Sequence, residues 1–128
     1  MPARLEHVNL TVSNPEATAR LLCDLFGWRV RWSGAARSGG TTFHVGDDDA
    51  YLAVYSRNGA PAPAPAPSYE TKGGLNHIGV LVADLDAVER KVRAAGFSPY
   101  GHETYEPGRR FYFRDEDGVE FEVVSYAS

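Results

Sequence analysis

The stretch that decides the fold is Leu75-Asn76-His77-Ile78-Gly79-Val80-Leu81-Val82-Ala83-Asp84, because the chain carries its pattern twice. The other copy is Leu5-Glu6-His7-Val8-Asn9-Leu10-Thr11-Val12-Ser13-Asn14, and 70 positions separate the two histidines. Each copy sets a histidine before alternating apolar residues and runs on to an alanine, Ala17 or Ala87. This recurrence predicts a duplicated supersecondary unit. It also makes His7 and His77 counterparts.

The first half of the chain reads as β-α-β-β-β. Its opening strand alternates apolar residues with His7 and Asn9, so it has one apolar and one mixed face. The run Ser13-Asn14-Pro15-Glu16 predicts a capping box with proline in the first helical turn, and Gly27 supplies a helix stop. Three strands are predicted to follow, at residues 28–32, 41–45 (after the Ser38-Gly39-Gly40 turn) and 51–55.

The second half repeats this plan. Asp84 is a predicted N-cap, an apolar stripe at helical spacing follows it, and Gly96 ends the helix. Short strands are predicted near residues 97–100, 110–114 and 119–125, and the turn at 115–118 joins the last two. The predicted fold class is therefore α+β, with two tandem βαβββ modules.

Residues 60–67 are Ala-Pro four times over. Proline fixes the backbone and cannot donate to a ladder, so this piece should be an extended spacer and neither helix nor central strand. We therefore expect one domain, with module 1 at about 4–57, a linker at about 58–73 and module 2 at about 74–126.

Composition narrows the function classes. The net charge of −4, without a basic cluster, argues against nucleic acid as a partner. No apolar run approaches the roughly 20 residues of a membrane span, and the first residues lack a signal-peptide hydrophobic region. The single cysteine, Cys23, cannot form an internal disulfide. These features predict a cytoplasmic protein that has neither nucleic acid nor a membrane as its partner.

Two histidines and a glutamate could form a metal site. His7 and His77 lie on the mixed faces of equivalent strands, and Glu120 and Glu122 share one face of the last strand. If the modules pack with pseudo-twofold symmetry, both imidazoles and one carboxylate can converge in a cleft. Such a set holds a divalent transition metal and leaves positions open for substrate. His44 has no evident counterpart in the repeat and is expected to be structural or to line a cavity.

The chain resembles the superfamily of glyoxalase I, bleomycin- and fosfomycin-resistance proteins and extradiol ring-cleaving dioxygenases, known as the vicinal oxygen chelate superfamily. The resemblance lies in Leu5–Val12, in Asn76–Val80 and in Phe111–Glu122. It implies two βαβββ modules that form an incomplete barrel around a metal cleft. It also implies a homodimer, and a divalent metal such as Fe, Mn, Ni or Zn.

The resemblance implies metal ligands at His7, at His77 and at Glu122, which lies four residues past Gly118. Glyoxalase-type members usually add a fourth ligand, often glutamate, in the fourth strand. The nearest residue here is Ala53, which has no carboxylate. This departure weakens an assignment to glyoxalase I itself.

The remaining set of two histidines and one glutamate is that of the extradiol dioxygenases, whose signature the segment from His102 to Glu122 partly resembles. That alternative implies His102 as acid/base and Tyr112 as the group that bonds the substrate oxygen. Glu116 replaces the usual proline, His102 lies one residue too far from Phe111, and ring-cleaving enzymes are usually about twice this length.

We expect a metal-dependent enzyme that chelates a small substrate through vicinal oxygens and stabilises an enolate or oxyanion, as a lyase or isomerase. An extradiol-type oxygenase is the alternative within the same class. A protein that binds bleomycin-type drugs without metal is the alternative from another class, with strand aromatics as the walls of its cleft.

Overall fold

A computed structural model describes residues 1–36, 39–57, 60–104 and 108–126. Each half of the chain folds as one strand, one helix and three strands, which confirms the predicted α+β class with two βαβββ modules. The first half contains β1 (His7–Thr11), α1 (Pro15–Phe26), β2 (Arg29–Ala35), β3 (Thr41–Gly46) and β4 (Tyr51–Ser56). The second half contains β5 (Ile78–Leu81), α2 (Leu85–Ala94), β6 (Tyr100–Glu103), β7 (Arg109–Arg114) and β8 (Glu120–Ser125).

Both modules have the same sheet topology. The strand order is β1-β4-β3-β2 in the first sheet, called sheet 1, and β5-β8-β7-β6 in the second, called sheet 2. In each, the opening strand pairs in parallel with the last strand of its module, and the other pairs are antiparallel. The opening and last strands of each module are therefore direct neighbours, which brings the histidine strand beside the glutamate strand in sheet 2.

The helices begin at equivalent residues. Asn14 caps α1 by accepting the N–H of Ala17 at 3.1 Å, and Asp84 caps α2 by accepting the N–H of Ala87 at 3.0 Å. The predicted capping box based on Ser13 is therefore wrong by one residue. Asn14 is the N-cap, because its side chain accepts the otherwise unpaired N–H of Ala17, and Pro15 takes the first helical position. At the other end, Gly27 ends α1 in the left-handed conformation (φ 70°), as expected.

The strand predicted near residues 97–100 begins later than expected. The N–H of Phe97 donates a hydrogen bond to the carbonyl of Val92 in α2 at 3.2 Å, so Phe97 belongs to the helix end. Pro99 has no N–H to donate to a strand ladder. The strand consequently starts at Tyr100, so that His102 lies in β6. Two smaller differences are that β2 extends to Ala35 and that β5 begins just after His77.

Each helix packs on one face of its own sheet and leaves the other face for the mixed side chains. The amphipathic stripes of α1 and α2 are buried against apolar strand residues. The buried hydrophobic residues of the first half are Val12, Ala19, Leu22, Leu25, Val45, Leu52, Ala53 and Val54. Those of the second half are Val80, Leu85, Val92, Phe111, Phe113, Phe121, Val123 and Val124.

The chain divides into two compact units, residues 1–63 and 64–128. Residues 60–67 are exposed and form neither helix nor strand, as the repeated prolines predicted. A short 3-10 turn, Ser68–Glu70, follows it within the second unit. None of the helices in the described residues has the length and apolarity needed to cross a membrane.

Candidate metal and substrate site

Strand register gives the positional equivalences between the modules. Asn9 pairs with Ala53 in sheet 1, and Gly79 pairs with Glu122 in sheet 2. Since Asn9 and Gly79 each lie two residues after the repeated histidine, Ala53 occupies the place of Glu122. Only the second module therefore has a carboxylate at this position.

His77 and Glu122 meet on sheet 2. His77 lies immediately before β5, Glu122 lies on the neighbouring strand β8, and His77 Nε2 is 3.0 Å from Glu122 Oε1. Metal–nitrogen and metal–oxygen bonds of about 2.1 Å at a right angle place two ligand atoms roughly 3.0 Å apart. The pair therefore has the chemistry and the spacing of two ligands of one divalent transition metal.

The second carboxylate oxygen of Glu122 is held by an arginine. Arg110 on β7 donates from Nη1 to Glu122 Oε2 at 2.8 Å, and both side chains are largely buried, at 16% and 14% exposure. The arginine fixes the rotamer of Glu122 and leaves Oε1 turned towards His77. It also neutralises part of the charge that a metal cation would meet at this carboxylate.

A second carboxylate, Glu120, is the acceptor of a hydrogen-bond network on the same face. Tyr69 donates to Oε1 at 2.8 Å, Tyr100 donates to Oε2, and Arg114 lies 3.5 Å from Oε2. Burial raises the pKa of Glu120, but the bonds from Tyr100 and Tyr69 and the nearby Arg114 outweigh it, so the pKa lies below its ordinary value. We call these four residues the Glu120 network. It holds an ionised carboxylate beside His77, whose Nδ1 is 3.7 Å from Oε1.

Tyr112 lies on β7 directly opposite Glu122 in the ladder. Its ring meets the His77 ring edge-on, with 5.6 Å between the ring centroids, and stacks beside the Tyr100 ring, with 6.1 Å between the centroids. Burial, followed by the negative charge of Glu122, raises the pKa of Tyr112, so its hydroxyl keeps its proton. The structure thus brings three of the predicted site residues together: His77, Glu122 and Tyr112.

His102 lies on the other face of sheet 2. Its Nε2 is 3.0 Å from Glu89 Oε2 of α2, and its ring stacks on the buried Phe111 at 5.8 Å. A β-bulge in β6 accounts for this orientation. Tyr100 pairs with Tyr112 and Glu103 pairs with Arg110, so β6 advances three residues while β7 advances two. Simple alternation would place His102 on the face of Tyr112, but the bulge turns it towards the helix. The structure does not bring His102 and Tyr112 together.

Sheet 1 carries a row of rings on its mixed face, which we call the ring ladder. Measured between ring centroids, His7 stacks on Tyr51 at 4.9 Å and Tyr51 stacks on His44 at 4.5 Å. Trp32 lies tilted against His44, with 5.2 Å between the centroids. One ring comes from each strand, in the spatial order β1-β4-β3-β2. His44 pairs with Ala53 as Tyr112 pairs with Glu122, so register gives His44 the positional counterpart that the sequence repeat did not reveal.

His7 is held within the ring ladder by a charged neighbour. Its Nδ1 is 2.7 Å from Glu6 Oε1, and the Tyr51 hydroxyl donates to the same oxygen at 3.4 Å. The Nε2 of His7 is thus the nitrogen left to serve as a ligand. Within the described residues of either unit, no three His, Cys, Asp or Glu side chains are grouped to hold a metal ion. The candidate set in the second unit is the pair His77 and Glu122, and His7 belongs to the first unit.

The family follows from comparison with known proteins. Residues 4–123 match the Glyoxalase/Bleomycin resistance protein/Dioxygenase superfamily. The chain belongs to this superfamily. A comparison with curated proteins gave no match.

Solved structures of superfamily type share the fold. A glyoxylase/bleomycin resistance protein/dioxygenase domain from Frankia sp. EAN1pec matches with a TM-score of 0.80 and 21% identity over 98% of each chain. A mutant of the fosfomycin resistance protein FosX from Listeria monocytogenes, complexed with Mn(II) and 1S,2S-dihydroxypropylphosphonic acid, matches with a TM-score of 0.71 and 19% identity over 96% of this chain and 92% of that chain. The oxidase ChaP-H2 matches with a TM-score of 0.69 and 19% identity over 98% and 94%. These likenesses establish the fold.

Sequence reasoning missed several residues of this candidate site. Arg110 and Arg114 flank Tyr112 at two-residue steps, so their position on the same face could have been read from strand alternation. Tyr100 required the register between β6 and β7. Tyr69 precedes β5 in the short 3-10 turn and follows an irregular segment, so no periodicity marked it.

Proposed function

We propose that this protein is a metal-dependent enzyme of the superfamily that acts on a small substrate through two neighbouring oxygen atoms, as a lyase or isomerase. A divalent metal, of the group Fe, Mn, Ni and Zn, is held by His7, His77 and Glu122. The observation that carries the proposal is the 3.0 Å approach of His77 Nε2 to Glu122 Oε1. The inclusion of His7 rests on its place in the repeat and on the family pattern.

The residues around His77 and Glu122 favour stabilisation of an oxyanion on the substrate. When bound, the metal would act as a Lewis acid on the substrate oxygens. Tyr112, opposite Glu122, keeps its proton and can donate a hydrogen bond to an oxygen that gains negative charge. Arg110 fixes Glu122 and so limits it to one ligand oxygen. Glu120 accepts bonds from Tyr69 and Tyr100 and is therefore a structural anion rather than a proton acceptor.

The similarity to the FosX complex supports a substrate with neighbouring oxygens. That protein is described with Mn(II) and a dihydroxypropylphosphonic acid, a molecule with two adjacent hydroxyl groups. The protein is proposed to work as a cytoplasmic homodimer, as expected from its composition and from its resemblance to family members of this length.

An extradiol-type oxygenase is less well supported. The fold is shared with the oxidase ChaP-H2. However, the acid/base that this alternative needs is His102, which contacts Glu89 and Phe111 on the helix side of sheet 2. Those contacts favour a structural role for His102.

A metal-free drug-binding protein is the candidate from another class, and two observations favour it. The ring ladder offers aromatic surface, with Trp32 exposed to 52% at its outer end. Arg110 supplies Glu122 with a positive partner that does not depend on metal.

One experiment separates the enzyme from the binder. The purified protein is stripped with chelator, reloaded in turn with Mn²⁺, Fe²⁺, Ni²⁺ or Zn²⁺, and mixed with 2-hydroxy ketones, vicinal diols and catechols. Products are followed by NMR and oxygen by electrode. The proposal predicts metal-dependent turnover without oxygen uptake, lost in Glu122→Gln and retained in the exposed-turn control Glu116→Gln. Oxygen uptake with catechols would support the oxygenase. Tight binding of aromatic drugs by stripped protein, without turnover under any metal, would contradict the proposal.

A further inference from the structure

Tyr69 contacts both the histidine and the second carboxylate of the site. Its hydroxyl oxygen is 2.8 Å from Glu120 Oε1 and 3.1 Å from His77 Nδ1. The residue lies in the Ser68–Glu70 turn and is exposed, while its hydroxyl contacts these two polar groups. Tyr69 therefore links the segment before β5 to His77 and Glu120.

Counting protons assigns the direction of both bonds. A tyrosine hydroxyl has one proton, and a carboxylate only accepts. The proton of Tyr69 therefore goes to Glu120, and the contact with His77 is made by Nδ1–H donating to the hydroxyl oxygen. The bond to Glu120 also raises the pKa of Tyr69, which keeps the hydroxyl protonated.

The other nitrogen of His77 is then left as a free base. With the proton of neutral His77 on Nδ1, both Nε2 and Glu122 Oε1 are acceptors. Two acceptors 3.0 Å apart repel each other, and a cation between them, either a proton or a metal ion, turns this repulsion into attraction. The arrangement thus turns the lone pair of His77 Nε2 towards the position where a metal is proposed.

We infer that Tyr69 is a positioning residue that fixes His77 in its Nδ1–H tautomer, so that Nε2 is presented as a metal ligand beside Glu122. The inference rests on the proposed function for its metal, but the tautomer exists without metal and can be read separately. Hydrogen bonds of this kind to a ligand histidine commonly matter by about 10–100-fold in metal affinity.

The first test reads the tautomer directly. Long-range ¹H–¹⁵N correlation spectra of the stripped protein, at a pH where the imidazole is neutral, distinguish protonated from bare Nδ1, and His77→Gln assigns the signals. The parent is expected to carry its proton on Nδ1. A parent with the proton on Nε2 would overturn the inference.

Glu120→Gln is a sharper variant because it reverses the donor and acceptor roles in the hydrogen bonds that join residue 120, Tyr69 and His77. The side-chain oxygen of the new glutamine must face the donors Tyr100 and Arg114, so its NH₂ faces Tyr69. Tyr69 then accepts from that NH₂ and donates to His77 Nδ1. The proton of His77 moves to Nε2, where Glu122 accepts it. An unchanged tautomer in this variant would contradict the inference.

The second test measures metal affinity by calorimetric titration with Zn²⁺ and Mn²⁺. Tyr69→Phe is expected to weaken binding by about 10–100-fold. Tyr126→Phe, which removes a hydroxyl from a residue of similar exposure (57% against 59%), should leave it unchanged. Equal affinities for the parent and Tyr69→Phe would overturn the inference and leave the proposed function standing. A parent with the Nδ1–H tautomer but no affinity for either metal would support the assignment of Tyr69 and contradict the proposed function.

Discussion

The ion pair between Arg110 and Glu122 gives a quantitative prediction about the site. The two groups are 2.8 Å apart and largely buried, with 16% and 14% of their side chains exposed. Removing one partner of a fully buried pair costs about 3–5 kcal/mol, and a charge-assisted hydrogen bond contributes about 1.5–3 kcal/mol. Because the pair keeps some solvent contact, each of Arg110→Met and Glu122→Gln should lower the free energy of unfolding by about 2–3 kcal/mol.

The double variant should cost much less than the sum of the two single variants. Once one charge has gone, the other is already unpaired, so its removal relieves a buried charge. We expect a coupling energy of about 1.5–2 kcal/mol, well above the roughly 0.3–0.5 kcal/mol within which independent sites add. Urea unfolding followed by far-UV circular dichroism, in chelator so that metal linkage does not contribute, gives all four free energies. Additive losses would refute the account of Glu122 as a carboxylate fixed by Arg110.

Three further predictions concern other parts of the molecule. Asn14→Ala and Asp84→Ala should each lower the free energy of unfolding by about 1 kcal/mol, since each removes a helix N-cap; unchanged urea midpoints would contradict the capping. Burial raises the pKa of Glu89, but the hydrogen bonds it accepts hold that pKa below its ordinary 4.5. Its stabilisation is therefore present above about pH 4.5 and is lost as pH falls through the lowered value, so Glu89→Gln should flatten the acid limb of the stability profile, and coincident limbs would disprove this. Tyr112→Phe should lower turnover by about 100–1,000-fold without changing metal affinity, because it removes a hydrogen-bond donor to the oxyanion. A loss of about 100-fold or more in His102→Gln would restore His102 as the acid/base.

The sequence predicted the fold because the repeat and the strand alternation are local signals. The recurrence of the His77 stretch at His7 indicated the duplicated modules, and period-two patterning placed apolar and mixed faces on the strands. These signals need no knowledge of which strands are neighbours.

The contacts that define the candidate site depend on register and on irregular segments. The partnership of Arg110 with Glu122 follows from the pairing of β7 with β8, and Tyr69 reaches His77 from a turn without periodicity. A bulge in β6 moves His102 to the helix side, which simple alternation misses. The departure at Ala53 was visible in sequence, and register shows that it is the equivalent of Glu122.

Metal content tests the central claim most directly. The protein is purified without a chelating tag, dialysed, and analysed for Mn, Fe, Ni and Zn beside His7→Ala, His77→Ala and Glu122→Ala, with Glu116→Ala as a carboxylate control. The account predicts about one divalent metal per chain in the parent and in the control, and its loss in all three site variants. A folded parent that holds no metal, even after exposure to each ion, would contradict it, as would a site variant that retains the full content.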